Sequence, residues 1–285
     1  MDLIEGEHRM TDSVSSEAGL GEATRVSEGR SGSILAGRAI FLVAFLALWE
    51  GAVAYGFADP AFVSSPTSIV EAFWKLVEDG DLAPNLLTTL VEIMISFALS
   101  VVLGIASALV LDRSDWLNRI LSPFLTAFNS MPRIALGPLF ILWFGIGIAS
   151  KVVLAVSLGY FIMLLSTLGG LKNVDRDLLL MSRLFGASEL RLFRDVRLPW
   201  ALPSIFAGLR LTLIYCSGGA VIGEMIAAQS GLGLLVQSFS GRFDVASVMA
   251  LILVVAFLVM ALTALMDWVE RRLLEWSKGS TDVPG

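Results

Sequence analysis

Five ionisable residues stand inside or beside stretches apolar enough for a lipid bilayer: Glu50, Glu92, Arg133, Arg210 and Glu224. An ionised group at the bilayer centre costs at least about 2.5–3.5 kcal/mol on insertion scales, so each should face protein or water. Arg133 follows Pro132 and precedes Gly137 and Pro138, in a segment that cannot run as one regular helix. Backbone broken at membrane depth is tolerated where it lines a cavity or is buried in protein. A guanidinium there could draw in a multi-oxygen anion through its fixed fork of donors. It could also pair with a carboxylate or snorkel to the nearer membrane face. Arg210 stands towards one end of its segment, where snorkelling costs little. Glu224, at the other end, could bond backbone or help to gate a path. Glu50 and Glu92 read as interfacial or helix-pairing groups.

Other chemistry is excluded by residue type. Cys216 is the only cysteine, so no intrachain disulfide forms, and it reads as a small buried apolar residue. No CxxC or Cys/His cluster suggests a metal, and no cofactor is expected. The only histidine, His8, lies in a polar tail. An intramembrane enzyme would need a pair such as His with Glu or Ser with Lys, and none stands out. The chain has no GxxxxGK[ST] phosphate loop, so any ATP must be bound elsewhere. Nothing points to a nucleic-acid partner.

These residues are positioned by membrane-length segments. Of the 285 residues, 56% are hydrophobic and 16% charged, and the mean hydropathy is +0.79. A helix crossing the hydrocarbon layer needs about 20 mostly apolar residues. Six segments qualify or nearly so: Arg38 to Phe57, Leu86 to Leu111, Pro123 to Ile146 (broken by Pro132, Arg133, Gly137 and Pro138), Ala149 to Leu171, Pro203 to Ala227, and Val245 to Trp268. The expected organisation is a disordered polar tail over 1–33, a membrane domain over 34–276 and a short tail over 277–285. The start lacks the basic and apolar regions of a secretory signal.

Lys and Arg favour cytoplasmic loops. With both termini inside, only Lys75, Lys151 and Arg242 of the 20 basic residues fall in outer segments, while Arg133 and Arg210 fall in spans. Both termini are therefore expected in the cytoplasm. Ser65 and Pro66 predict the cap and first position of an amphipathic helix on the outer face. The small run Ser217-Gly218-Gly219-Ala220 allows close helix approach. Trp49, Trp143, Trp268 and Trp276 read as packing or interfacial anchors.

The long loop over 172–202 predicts two short helices meeting at Gly186, which permits a left-handed cap. Ser188 caps the second, and Glu189 suits the positive end of its dipole. Leu190, Phe193 and Val196 give this helix an apolar stripe, Arg191, Arg194 and Arg197 stay polar, and Pro199 should end it.

This loop resembles the cytoplasmic signature of binding-protein-dependent ABC importer permeases. In that signature a Glu-Ala-Ala triplet precedes a Gly, an aliphatic residue stands ten beyond, and Leu-Pro follows. Gly186, Val196, Leu198 and Pro199 keep that spacing, while Leu180, Met181 and Ser182 replace the triplet. Met131-Pro132-Arg133-Ile134-Ala135-Leu136-Gly137-Pro138-Leu139, Leu142-Trp143-Phe144-Gly145-Ile146-Gly147 and Ser150-Lys151 resemble the nitrate, sulfonate and taurine permease group. So do Gly208-Leu209-Arg210, Gly223-Glu224-Met225 and Gly231-Leu232-Gly233. The likeness covers roughly Ser65 to Arg272.

The resemblance implies an all-α, polytopic type I ABC importer permease of the cell inner membrane, with six transmembrane helices and a cytoplasmic coupling helix. It implies a paired, non-catalytic subunit in the lipid bilayer, with a second permease copy (a homodimer is favoured), cytoplasmic ABC ATPase subunits and an extracytoplasmic solute-binding protein. The ATPase-coupling loop would use Arg183, Gly186, Ala187, Ser188, Glu189, Phe193, Val196, Leu198 and Pro199. Arg133, Arg210 and Glu224 are the candidates for pathway or gate. The solute would be nitrate, an alkanesulfonate or taurine, with a thiamine-precursor pyrimidine or riboflavin as the alternative. A secondary carrier, the competing reading, often shows paired broken helices, and only the third segment is broken.

Overall fold

A computed structural model describes residues 34, 36–57, 59 and 62–273. The tails, His8 and Trp276 lie outside the described residues. All regular elements among those described are helical. Among the described residues, five helices are long and apolar enough to cross a membrane, and a sixth candidate is a bent pair. These match the six sequence segments.

The chain divides into two units, Met1–Ser68 and Ile69–Gly285. In the first, α1 (Ala36–Ala54) is a membrane-length helix. Glu50 near its end accepts hydrogen bonds from the Thr67 amide (3.1 Å) and hydroxyl (2.7 Å). Those donors open α2 (Pro66–Glu78), whose Ser68 amide also donates to Ser65 Oγ, as the capping sequence predicts.

The second unit is built on α3 (Leu82–Arg113), α6 (Ile148–Lys172) and α9 (Leu198–Ala227). On α3 the buried face is mostly small and polar, with Thr89, Glu92, Ser96, Ser100, Gly104 and Ala108 beside the apolar Ile93 and Leu111. Its exposed face is apolar, with Leu87, Met94, Leu99 and Val102. In lipid, apolar surface has nothing to escape, so helices pack through small residues that let backbones approach. Gly104 lies against Met163, Gly159 against Cys216, and Gly219 against Ala155. Ile93, Ala155, Leu213 and Ala220 pack together at one level; Met163, Leu171, Ala201 and Ile205 pack at another. Of the run Ser217 to Ala220, Ser217, Gly219 and Ala220 are buried, while Gly218 faces open space.

The third segment is an L. The helix α4 (Asp115–Ser130) carries Pro123 inside it, and Ser114 Oγ accepts from the Leu117 amide at its start. After Pro132 the chain makes a 3-10 turn (Arg133–Leu136) and then α5 (Gly137–Phe144). The two arms meet at 81°. Pro132 sits at the break, whereas Pro138 falls in the first turn of α5, where a missing N–H costs nothing. Next come α7 (Arg176–Leu184), α8 (Glu189–Arg191) running through a π-helical turn (Leu192–Arg197) into α9, then α10 (Leu232–Gly241) and α11 (Val245–Leu273).

Two sequence expectations change. Pro199 does not end the loop helix: Glu189–Ala227 is one continuous helical rod. Pro199 falls in the first turn of α9 after the wide π turn, so the amide it lacks is not missed. The widened turn also rotates the stripe, so that Leu192 is buried and Leu190 is exposed. Between the fifth and sixth segments lies α10, whose ten residues are too few for a span.

Candidate translocation and coupling sites

The loop element is shaped by its caps. Phe185 ends α7, and Gly186 follows with φ +78°. The Gly186 amide donates to Arg183 O (2.9 Å) and the Ala187 amide to Ser182 O (3.0 Å). This is a complete Schellman cap, which needs a left-handed residue at Gly186. Ser188 Oγ then accepts from the Arg191 amide (3.5 Å). Arg183 bridges the bend to Glu189 at 3.1 Å, an exposed pair of little energetic weight. Leu180, Met181, Leu184, Phe185 and Leu190 are exposed around this bend.

The base of the element is fixed more firmly. Phe193 and Leu198 pack on the cluster of Met163, Leu171, Ala201 and Ile205. Arg197 donates to Asp112 Oδ1 (2.6 Å) at the end of α3 and to Leu171 O (3.2 Å) at the end of α6. Val196 and Pro199 are half-buried. The element is thus continuous with α9 and tied at its base to both other central helices.

Arg133 lies at the break of the third segment. Its guanidinium donates to Ser157 O (2.7 Å), Leu158 O (3.4 Å), Asn129 O (2.8 Å) and Asn129 Oδ1 (2.5 Å). It stacks over Phe161 with 4.6 Å to the ring centroid. Among the described residues no carboxylate pairs with it. It lines a cavity of about 370 Å³ with Asn129, Pro132, Ile134, Leu158, Ile162 and Tyr215. Tyr215 falls near the middle of α9, so the cavity lies at mid-depth of the bundle.

Arg210 is elsewhere. It forms ion pairs of 2.6 Å with both Asp267 and Glu270 of α11 and does not line that cavity. Glu224 is fully buried in the last turn of α9. It accepts from Thr89 Oγ1 (2.8 Å) on α3 and from the Gly233 amide (2.7 Å) at the start of α10. One turn along α3 from Thr89, Glu92 pairs with Lys151 of α6, both side chains almost wholly buried. Lys151 is therefore no outer-loop cation, as counting loop charges places it; it lies in the first turn of α6. The stripe Asn85, Thr89, Glu92, Ser96 at helical spacing was the legible signal for this cluster, since a polar stripe on a span marks its protein-facing side.

A lipid-embedded helical bundle, with a broken segment around a mid-depth cation and a rigid bent projection, is the architecture of a membrane permease. The comparisons give the family. Residues 100–275 match the model for "Binding-protein-dependent transport system inner membrane component", and the chain belongs to that family. It is 32% identical over 241 residues to the riboflavin transport system permease protein RibX of Chloroflexus aurantiacus, covering 84% of this chain and 90% of that one. It is 34% identical over 239 residues to the formylaminopyrimidine transport permease protein ThiX of Halalkalibacterium halodurans (84% and 95% covered). It is 32% identical over 235 residues to the putative aliphatic sulfonates transport permease protein SsuC of Escherichia coli (82% and 89% covered). A chain of the inward-facing MetNI methionine ABC transporter shares the fold, with TM-score 0.56 and 24% identity over 71% of this chain and 95% of that one. The chain is thus an ABC importer permease subunit.

Proposed function

We propose that this permease passes a small, sulfonate-like anion, and that Arg133 meets it at mid-depth. The observation that carries this reading is that Arg133 lines the cavity with no carboxylate partner among the described residues. Arg197, Arg210 and Lys151, by contrast, are each neutralised by acid. Carbonyl oxygens and the Phe161 ring hold the guanidinium in place but leave its full charge to be answered. Arg210 is then a structural tie between α9 and α11.

The bend at Gly186 is the docking element for a separate ATPase subunit on the cytoplasmic side, with both termini on that side. The exposed apolar residues at Leu180, Met181, Leu184 and Phe185 would seat in a groove of that subunit. A solute-binding protein delivers from the opposite side, and a second copy of the chain completes the pathway. The chain itself performs no catalysis.

The test is uptake of a radiolabelled alkanesulfonate by proteoliposomes holding the full complex. Arg133→Gln should lower uptake at least about tenfold, equivalent to roughly 1.4 kcal/mol, with ATPase assembly unchanged. Normal uptake by that variant removes Arg133 from the pathway. A second reading, a planar heterocycle such as riboflavin or a formylaminopyrimidine, is favoured by the RibX and ThiX likenesses. The apolar and aromatic cavity wall of Ile134, Leu158, Ile162 and Tyr215 suits it as well. A ligand screen of the cognate binding protein separates the two.

A further inference from the structure

Three consecutive amides open α10, and none is satisfied within its own helix. The Gly231 amide donates to Asn85 Oδ1 (2.7 Å), the Leu232 amide to Thr89 Oγ1 (2.9 Å), and the Gly233 amide to Glu224 Oε2 (2.7 Å). Thr89 closes the ring by donating to Glu224 Oε1 (2.8 Å). Asn85 and Thr89 belong to α3, Glu224 to α9. The start of α10 is therefore held by side chains of two other helices. A Cβ at Gly231 would overlap the Glu224 carboxyl group and one at Gly233 the Val221 carbonyl oxygen and Glu224 Cβ, and Gly231 has φ +122°, so only glycine allows this approach. Leu232 is fully buried beneath the ring.

The same helix that carries Glu224 begins at the bent element. From Leu198 to Ala227, α9 spans about 45 Å at 1.5 Å per residue. Glu224 stands at one end of this rod and the Arg197 joint at the other. A rod held laterally by small residues, and joined to α3 by the Arg197–Asp112 pair at its other end, can tilt about that joint and so displace its Glu224 end relative to Asn85 and Thr89 of α3. Relative motion of α9 and α3 must therefore load the one place where both grip α10.

We propose that Glu224 is a positioning residue: with Thr89 it forms a latch that pins the start of α10, and displacement of α9 opens this latch during the transport cycle. The driving of α9 by ATP rests on the ATPase-docking reading above; the existence of the latch does not. Because Glu224 binds a hydroxyl and an amide rather than a cation, its bonds can exchange for water without separating an ion pair. The neighbouring Glu92–Lys151 pair ties α3 to α6.

The test has two arms and uses the full-length chain with Cys216→Ala, which removes its only thiol. Leu232→Cys then reports opening through its rate of labelling by a membrane-impermeant maleimide. In vesicles holding the permease alone, Glu224→Ala and Thr89→Ala should raise that rate about tenfold, with Glu224→Gln nearer the parent because its amide oxygen still accepts from Gly233. Unchanged labelling in Glu224→Ala overturns the latch whether or not an ATPase binds. In the complex with the co-purifying ATPase, trapping with ATP and vanadate should raise labelling about tenfold over the resting state, and Glu224→Ala should label quickly in both. Equal labelling in the two states, in a complex that hydrolyses ATP and transports, overturns the opening step. A residue that merely supported the fold would lower the yield of Glu224→Ala without erasing the difference between states.

Discussion

Arg197, at the base of the bent element, donates to Asp112 at the end of α3 across 2.6 Å, with the carboxylate almost wholly buried. The contact joins residues 85 positions apart and fixes where the projection meets the bundle. A push on the element is therefore taken at a joint shared with α3 and α6, about which the far end of α9 is displaced.

Removing one partner leaves the other charge partly buried and unanswered. Asp112→Asn or Arg197→Gln should each cost about 2 kcal/mol and lower solute-stimulated ATPase activity. The exchanged pair, Asp112→Arg with Arg197→Asp, should recover part of both losses. Thermal inactivation of the purified complex, followed beside ATPase activity, checks this.

The Glu92–Lys151 pair makes a sharper case, since both side chains are buried. Lys151→Met strands a carboxylate among helices and should cost about 3–5 kcal/mol, whereas Lys151→Met with Glu92→Leu should be nearly neutral. The monodisperse fraction remaining after heating in detergent reads this out. Equal losses in single and double variants would contradict the pairing.

Two adjacent glycines should behave differently. A Cβ on Gly219 would sit 2.7 Å from Ala155 Cα, while one on Gly218 meets nothing within 4 Å. Gly219→Ala should therefore cost about 1–3 kcal/mol by forcing α6 and α9 apart, and Gly218→Ala should be neutral or slightly stabilising. The same heating assay compares them.

At the bend, Gly186→Val forces a β-branched residue into left-handed backbone, costing at least about 1–2 kcal/mol locally. Expression of the permease should survive, because the bend lies outside the helical core. Recovery of ATPase subunit with the affinity-purified permease should fall.

Much of this was legible in the residues. Six apolar runs located the spans, Pro132 located the break, and Gly186 with Ser188 located the bend, because each rests on a local rule of length, ring closure or capping. The π turn was not legible: Pro199 reads as a helix stop unless the turn before it widens. The burial of Lys151 was hidden as well, because a cation four residues into a span looks like a loop charge until Glu92 is seen opposite. The latch at Glu224 joins residues more than 130 positions apart, and only folding brings them together. Glu224 as a backbone acceptor was within reach from its place at a span end, but its partners were not.

The most direct measurement is ATP-dependent solute uptake by proteoliposomes containing this permease, its ATPase subunit and its binding protein, with and without Phe185→Asp at the exposed tip of the bend. The account predicts ATP-dependent uptake with the parent chain and its loss in the variant, together with loss of bound ATPase. Uptake that proceeds without any ATPase subunit, or that survives in Phe185→Asp with full coupling, would contradict it.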